Sequence, residues 1–275
     1  MGMESSRLKN IIILILVLLN LSLLLSLGGR RTAERSARRQ VTEQLVELFA
    51  ASDVTLDPDL IPQQSPPSGR AMTRDVAQDQ KVAESLLGKN LTRTEQGSGT
   101  YAVYAFDSGQ GAAIFRANGN FEAAITHSAE DAESFCRTFC REFGYQNLIF
   151  DLIDGTGTAT ATQYCDSYPV LNCTVTFSIS DGQLATVRGT HLPDSYTEVS
   201  LTEEPLSAMA ALSAFLSAHQ ASGGVACTVT DISLGYELQS TASTPMNLVP
   251  VWRITTDIAN TVYYVNCITG AVTHS

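Results

Sequence analysis

Residues 128–144, SAEDAESFCRTFCREFG, and residues 173–182, CTVTFSISDG, decide the fold class. In the first, Ala132, Phe135, Cys136, Phe139, Cys140 and Phe143 fall on one apolar stripe at helical spacing, opposite Arg137 and Arg141. Ser128 and Asp131 match a capping box, and Gly144 closes the helix. In the second, Cys173, Val175, Phe177 and Ile179 alternate with Thr174, Thr176, Ser178 and Ser180 up to an Asp181-Gly182 turn. That period of two predicts a hairpin with one buried and one wet face. A one-striped helix feeding half-buried strands is an α+β unit, with the helix packed on an antiparallel sheet.

The same unit recurs on either side. Upstream, a helix is predicted from about Thr73 to Leu87 with Gly88 as C-cap, followed by two strands meeting in a tight hairpin at Asn118-Gly119. Downstream, a third helix is predicted from about Thr202 to Gln220, with Glu203 and Glu204 favourable to the helix dipole and Pro205 in the first turn. Strands around Val225 to Leu238, Val249 to Thr256, Thr261 to Cys267 and Ala271 to Thr273 complete it. The expected modules are residues 71–127, 128–198 and 199–275.

The N-terminal part is different in kind. Ile11 to Leu27, IIILILVLLNLSLLLSL, is uncharged and entered through Arg7 and Lys9. At about 1.5 Å per residue it is long enough to cross a hydrocarbon core. Ser26-Leu27-Gly28 resembles a signal-peptidase site, but the run exceeds the usual apolar region of roughly 7 to 15 residues, so an uncleaved anchor is the better reading. The expected division is a cytoplasmic tail over 1–8, a transmembrane anchor over 9–28, a juxtamembrane helix over 29–52 and a linker over 53–70. Val41, Leu45, Leu48 and Phe49 set the helical spacing of that stalk, and residues 57–69, DPDLIPQQSPPSG, mark the linker.

The formal net charge of -11 divides unevenly: residues 1–40 carry seven Lys/Arg and two acids, a net of +5, and residues 41–275 carry ten against twenty-six, a net of -16. So acidic a body repels phosphate backbones, which excludes nucleic acid as a partner. Two signals disagree on which side of the membrane the body lies. Arg30, Arg31, Arg35, Arg38 and Arg39 outnumber Arg7 and Lys9, which favours the cytoplasm by the positive-inside rule. Six cysteines, with only two lysines in the body and abundant Ser and Thr, favour an oxidising exterior, and the outside placement is preferred.

Candidate chemistry is sparse. His127, His191, His219 and His274 are scattered without metal-ligand spacing, and no nucleophile-elbow, P-loop or dinucleotide motif is present. Cys136 and Cys140 lie on the Phe stripe, where packing is the expected role. Asp151 and Asp154 read as a solvated turn rather than a pair of catalytic acids. The sequence points to no enzyme, metal or cofactor. Cys165 with Cys173, across a turn at Ser167 to Pro169, and Cys227 with Cys267, in the last strands, are possible disulfides among the fifteen pairings six cysteines allow. Asn20, with Ser22 and Ser26, is a candidate contact to another transmembrane helix, because an amide in the bilayer gains from a hydrogen-bonding partner.

The last module contains Leu234-Gly235-Tyr236, Leu248-Val-Pro-Val-Trp252-Arg-Ile, Tyr263-Tyr-Val-Asn266 and Thr269-Gly270-Ala-Val272 in that order. It resembles a PepSY-like module, and Tyr164 to Val170 before a hairpin is similar to the same class. With one N-terminal anchor, a stalk whose Leu45 to Pro62 stretch leads into the modules, and the Leu86 to Gly88 helix end, the whole chain resembles the YycI/YycH regulatory proteins of Gram-positive bacteria. The resemblance implies a single-pass cell-membrane protein with tandem PepSY-like modules outside the cytoplasm. It further implies association with the WalK (YycG) sensor histidine kinase of a two-component system, alongside a paralogous accessory protein, in the control of cell-wall metabolism. No catalytic residue is implied. The alternative is a PepSY-type binding or inhibitory module acting on a secreted peptidase or in spore germination.

Overall fold

The computed structural model describes residues 38–97, 102–125, 131–199, 204–241, 244–258 and 261–275. The chain is α+β and rich in sheet. Four α-helices are described: α1 (38–50), α2 (Val76–Leu87), α3 (Ala132–Glu142) and α4 (Ala208–Ala221). The strands are β1 (Val54–Thr55), β2 (Gly69–Met72), β3 (Thr92–Gln96), β4 (Val103–Asp107), β5 (Gly111–Phe115), β6 (Asn120–Ile125), β7 (Tyr145–Ile153) and β8 (Thr156–Cys165). They continue as β9 (Tyr168–Ser180), β10 (Gln183–Thr190), β11 (Tyr196–Val199), β12 (Cys227–Thr241), β13 (Thr244–Thr256), β14 (Val262–Asn266) and β15 (Val272–His274).

These strands form one sheet with two wings. The first wing is antiparallel in the order β3, β4, β5, β6, β10, β9, β8, β7. The second is built on the long β12–β13 hairpin, flanked by β14 and β15 at one end and by β2 and β11 at the other. The seam is β9. Beyond its stretch along β10 it meets β12 in parallel at Val170 and Tyr236. The Asn172 side chain continues the ladder there, donating to the Leu238 carbonyl and accepting from its N–H at 2.8 Å each.

Each wing buries its helices against one face. α2 and α3 share a single core with β4 to β10, including Val82, Phe106, Phe115, Phe139 and Phe177. The stretches read as two modules over 71–127 and 128–198 therefore fill one core. Of the α3 stripe, Ala132, Cys136, Phe139, Cys140 and Phe143 are buried as expected, and Phe135 is half-buried against the same core. Its N-cap is Asp131, which accepts from the Ser134 N–H at 3.0 Å, so Asp131 occupies the cap position and not the third helical position. Ser128 lies outside the described residues. The Asp181-Gly182 turn is as expected, with φ of 51° and 73° matching the twist of the β9–β10 hairpin. At the β5–β6 hairpin only Gly119 is left-handed, at φ 82°, and its N–H bonds the Arg116 carbonyl, so the loop is wider than a two-residue turn at Asn118-Gly119.

The second wing differs most from expectation. α4 starts at Ala208 with Ser207 as N-cap, not near Thr202. The cause is tertiary: the Trp252 indole donates to the Leu206 carbonyl at 2.9 Å and the Leu206 N–H donates to the Cys267 carbonyl at 2.8 Å, so the backbone around Pro205 and Leu206 is tied to the sheet rather than coiled. Helix α1 is not a free stalk. Leu45 and Phe49 are buried in the same core as Leu212, Phe215 and Trp252, and Phe49 meets Phe215 at 6.1 Å. The stretch read as a linker over 53–70 holds β1, which pairs in parallel with the start of β12, a short 3-10 turn at Pro58–Leu60, and the first residues of β2. A third, smaller core with Met72, Val170, Tyr236 and Leu248 lies at the seam.

Candidate functional site

The N-terminal end of α1 borders a surface groove. The groove, of about 290 Å³, is lined by Arg38 of α1, by residues of the 62–66 segment, and by Pro205, Ala208 and Met209 at the start of α4. Three forces build it. Prolines 62 and 66 hold their segment extended, the Trp252 anchor fixes residue 206, and Phe49 clamps α1 onto α4. Arg38 and Glu204 face the groove, placing one charge of each sign at its rim. Along α1 the inner stripe is satisfied by burial, while Val41 and Leu48, seven residues apart, stay 47% and 52% exposed. These two residues form the exposed edge of the apolar stripe whose centre, Leu45 and Phe49, is buried.

A second cluster locks the seam. Arg70 of β2 is 7% exposed. Its Nε donates to the Tyr236 hydroxyl at 3.1 Å, its guanidinium stacks on the Tyr196 ring at 3.8 Å, and it forms an ion pair with Asp166 in the β8–β9 turn. Tyr236 in turn donates to the Ser68 carbonyl at 2.9 Å. Burial works against the Arg70 charge, but the hydroxyls of Tyr236 and Tyr196 more than offset it, so its pKa is raised. The four residues come from β2, β8–β9, β11 and β12, which makes the cluster a clamp between the wings.

All six cysteines are free thiols, which corrects both disulfide candidates. Cys165 stands opposite Tyr168 across the two-residue turn, with Cys173 five residues further on. Cys267 lies level with Pro250, and Cys227 lies beyond Val229, which is level with Thr256. At about 3.3 Å per residue that leaves Cys227 and Cys267 on the order of 20 Å apart, against the roughly 7 Å a disulfide tolerates. Burial pushes the thiols of Cys136, Cys173 and Cys267 up to about 12, and that of Cys140 to about 11, so they are packing groups and poor nucleophiles.

Cys227 has a histidine nearby that sequence reading did not connect to it. His219 Nε2 is 3.9 Å from the sulfur, but also 3.0 Å from the Val225 carbonyl, and Nδ1 is 3.3 Å from the Tyr263 hydroxyl. A carbonyl only accepts, so Nε2 carries the proton and cannot take one from the thiol. Burial raises the Cys227 pKa as well. The group is a buried polar plug, sealed by Gly224, where a Cβ would collide with the imidazole. His191 is also buried, edge-on to Phe143 at 5.7 Å with both ring nitrogens unpartnered among the described residues, and burial lowers its pKa to about 4. Asp154 and Gly155 form the β7–β8 turn at φ 52° and 75°, with Asp151 exposed on the strand. Among the described residues no group of three or more His, Cys, Asp or Glu gathers at metal-binding distance. Asn20, Ser22 and Ser26 lie outside the described residues, as does the run 11–27, and no helix among the described residues is long and apolar enough to cross a membrane.

No family model matches the chain, and no curated protein matches it. Solved structures similar to it include an uncharacterized protein from Eubacterium rectale ATCC 33656, at 14% identity and a TM-score of 0.47, covering 76% of this chain and 86% of that one. Another is the Bacillus megaterium YpeB C-terminal domain, at 14% identity and a TM-score of 0.35, covering 74% of this chain and 98% of that one. Similarities of this size do not assign a family.

Proposed function

We propose that the chain is a membrane-anchored accessory protein that adjusts a sensor histidine kinase, with residues 9–28 as a transmembrane anchor and the body outside the cytoplasm as tandem PepSY-like modules. The support is the resemblance of the whole chain to YycI/YycH proteins together with the packing of α1. Because Leu45 and Phe49 bury α1 in the second wing, a displacement of α1 is carried into the folded body. That packing is the observation that carries the reading. The exposed Val41 and Leu48 stripe then offers a contact to a partner helix just beyond the membrane.

A kinase with two signalling states is biased by any partner that packs better against one of them, and about 1 to 3 kcal/mol of differential contact changes its activity roughly 5- to 150-fold. The partners in this reading are the kinase, a paralogous accessory protein and the membrane, and the chain contributes no catalytic residue. With six free thiols the cysteine count no longer argues for an oxidising exterior. The outward placement therefore rests on the resemblance, against five arginines that follow the apolar run. Deleting the gene and restoring it with wild-type or Val41→Glu/Leu48→Glu protein tests the reading through the kinase's target promoters. Output is expected to shift on deletion, to return with wild type and to stay shifted with the double variant. Unchanged output on deletion would reject the regulator, and full rescue by the double variant would reject the role of α1.

A further inference from the structure

The first wing ends in an edge that nothing among the described residues covers. β7 pairs only with β8, and its last five residues, Ile149 to Ile153, run straight in register with Thr160 to Thr156. Before them the ladder shifts between Gln146 and Ile149, with Asn147 left-handed at φ 54°, so the free edge begins after this irregularity. A Cβ at Gly157 would collide with the Asp151 carbonyl oxygen, so that carbonyl points at β8. By alternation, the N–H and C=O groups of Phe150 and Leu152 point away from the sheet.

The side chains on this edge are unusual for an unprotected strand. Natural edges are guarded by lysines, prolines or short length, and β7 has nine residues, no proline and one charge, Asp151. Phe150 and Leu152 pack partly on the α3 side, with Arg137 over the Phe150 ring at 5.0 Å. On the opposite face Ile149 and Ile153 are 65% and 77% exposed and flank Asp151, which enters no ion pair among the described residues.

We propose that β7 is a docking edge for an extended segment of a partner protein, bound by strand addition, with apolar residues opposite Ile149 and Ile153 and a Lys or Arg opposite Asp151. Main-chain hydrogen bonds to Phe150 and Leu152 supply the register, and the Ile-Asp-Ile face supplies the selection. Charge decides against a second copy as the occupant. β7 carries no Lys or Arg, so pairing two β7 edges leaves Asp151 facing Asp151, Asn147 or an isoleucine of the other copy and buries its charge without a cation. Two chains of net charge -11 also repel one another. The proposal does not depend on the regulator reading.

The test uses the full-length chain in mild detergent and a fluorescent peptide, Ser-Val-Val-Lys-Val-Val-Ser, whose alternation sets Lys against Asp151 and Val against both isoleucines. Anisotropy should show saturable binding, roughly tenfold weaker for the peptide with Glu in place of Lys. Leu152→Pro removes an outward N–H without touching the β8 ladder and should abolish binding. Asp151→Lys, on an exposed side chain, should invert the preference toward the Glu peptide, which keeps the test decisive if the proline variant fails to fold. Absence of saturable binding, equal affinity for the two peptides, or no inversion by Asp151→Lys would overturn the proposal. A dimer in sedimentation that is lost on Leu152→Pro would overturn it too, by naming a second copy as the occupant.

Discussion

Phe49→Ala separates a stalk from a structural helix. Phe49 is fully buried, and its ring sits 6.1 Å from Phe215 among Leu212, Leu216 and Trp252. Truncating a fully buried phenylalanine removes its transfer free energy and leaves a cavity, together about 3 to 5 kcal/mol. For a body of this size each kcal/mol lowers Tm by about 2 to 4 °C, so a drop of roughly 6 to 20 °C is expected. Leu48→Ala, one residue away but half exposed, should stay within about 0.5 kcal/mol. Thermal and urea unfolding followed by circular dichroism in detergent reads both variants. If Phe49→Ala cost no more than Leu48→Ala, α1 would be independent of the second wing, and a displacement of α1 would have no rigid route into the body.

Three further outcomes follow from the seam and the buried groups. Asp166→Ala should destabilise by about 1 to 2 kcal/mol in urea titration, less than for a fully buried pair because Asp166 is half exposed, since it leaves the Arg70 guanidinium buried without its carboxylate. Burial holds His191 neutral in the folded chain down to about pH 4, with Asp194 opposing the shift, whereas the unfolded chain protonates it near 6.5. Between these values the unfolded state binds more protons, so this stability is complete above about pH 6.5 and falls by up to about 3 kcal/mol toward pH 4, and His191→Phe should flatten that part of the pH profile. Thiol titration should find the six cysteines unreactive in native protein and all six reactive in denaturant without reductant; fewer in denaturant would restore a disulfide.

What the sequence made legible follows from where information is local. The α3 stripe, Gly144 and the alternation of β9 are carried by adjacent residues, and each stands where periodicity puts it. The start of α4 was not legible, because Leu206 is held by Trp252 and Cys267, more than forty residues away, and those bonds keep the helix from starting before Ser207. The same holds for α1 and the Pro-rich stretch after it. Their composition is that of a stalk and linker, yet Phe49, Val54 and Leu56 reach a core supplied by residues 208–267. Cysteine pairing failed for a related reason: count and spacing do not reveal register, and register separates Cys227 from Cys267. The meeting of Arg70, Asp166, Tyr196 and Tyr236 left no sequence signal, whereas an edge strand with one charge in nine residues is visible in YQNLIFDLI once the strand is known to be an edge.

The regulator reading is measured most directly by the autophosphorylation rate of the WalK-type sensor kinase in nanodiscs, with and without the full-length chain. The rate is expected to change within the roughly 5- to 150-fold range of a coupling of about 1 to 3 kcal/mol, and the change to be lost when Val41 and Leu48 are replaced by Glu. A rate unchanged at saturating chain would contradict that reading.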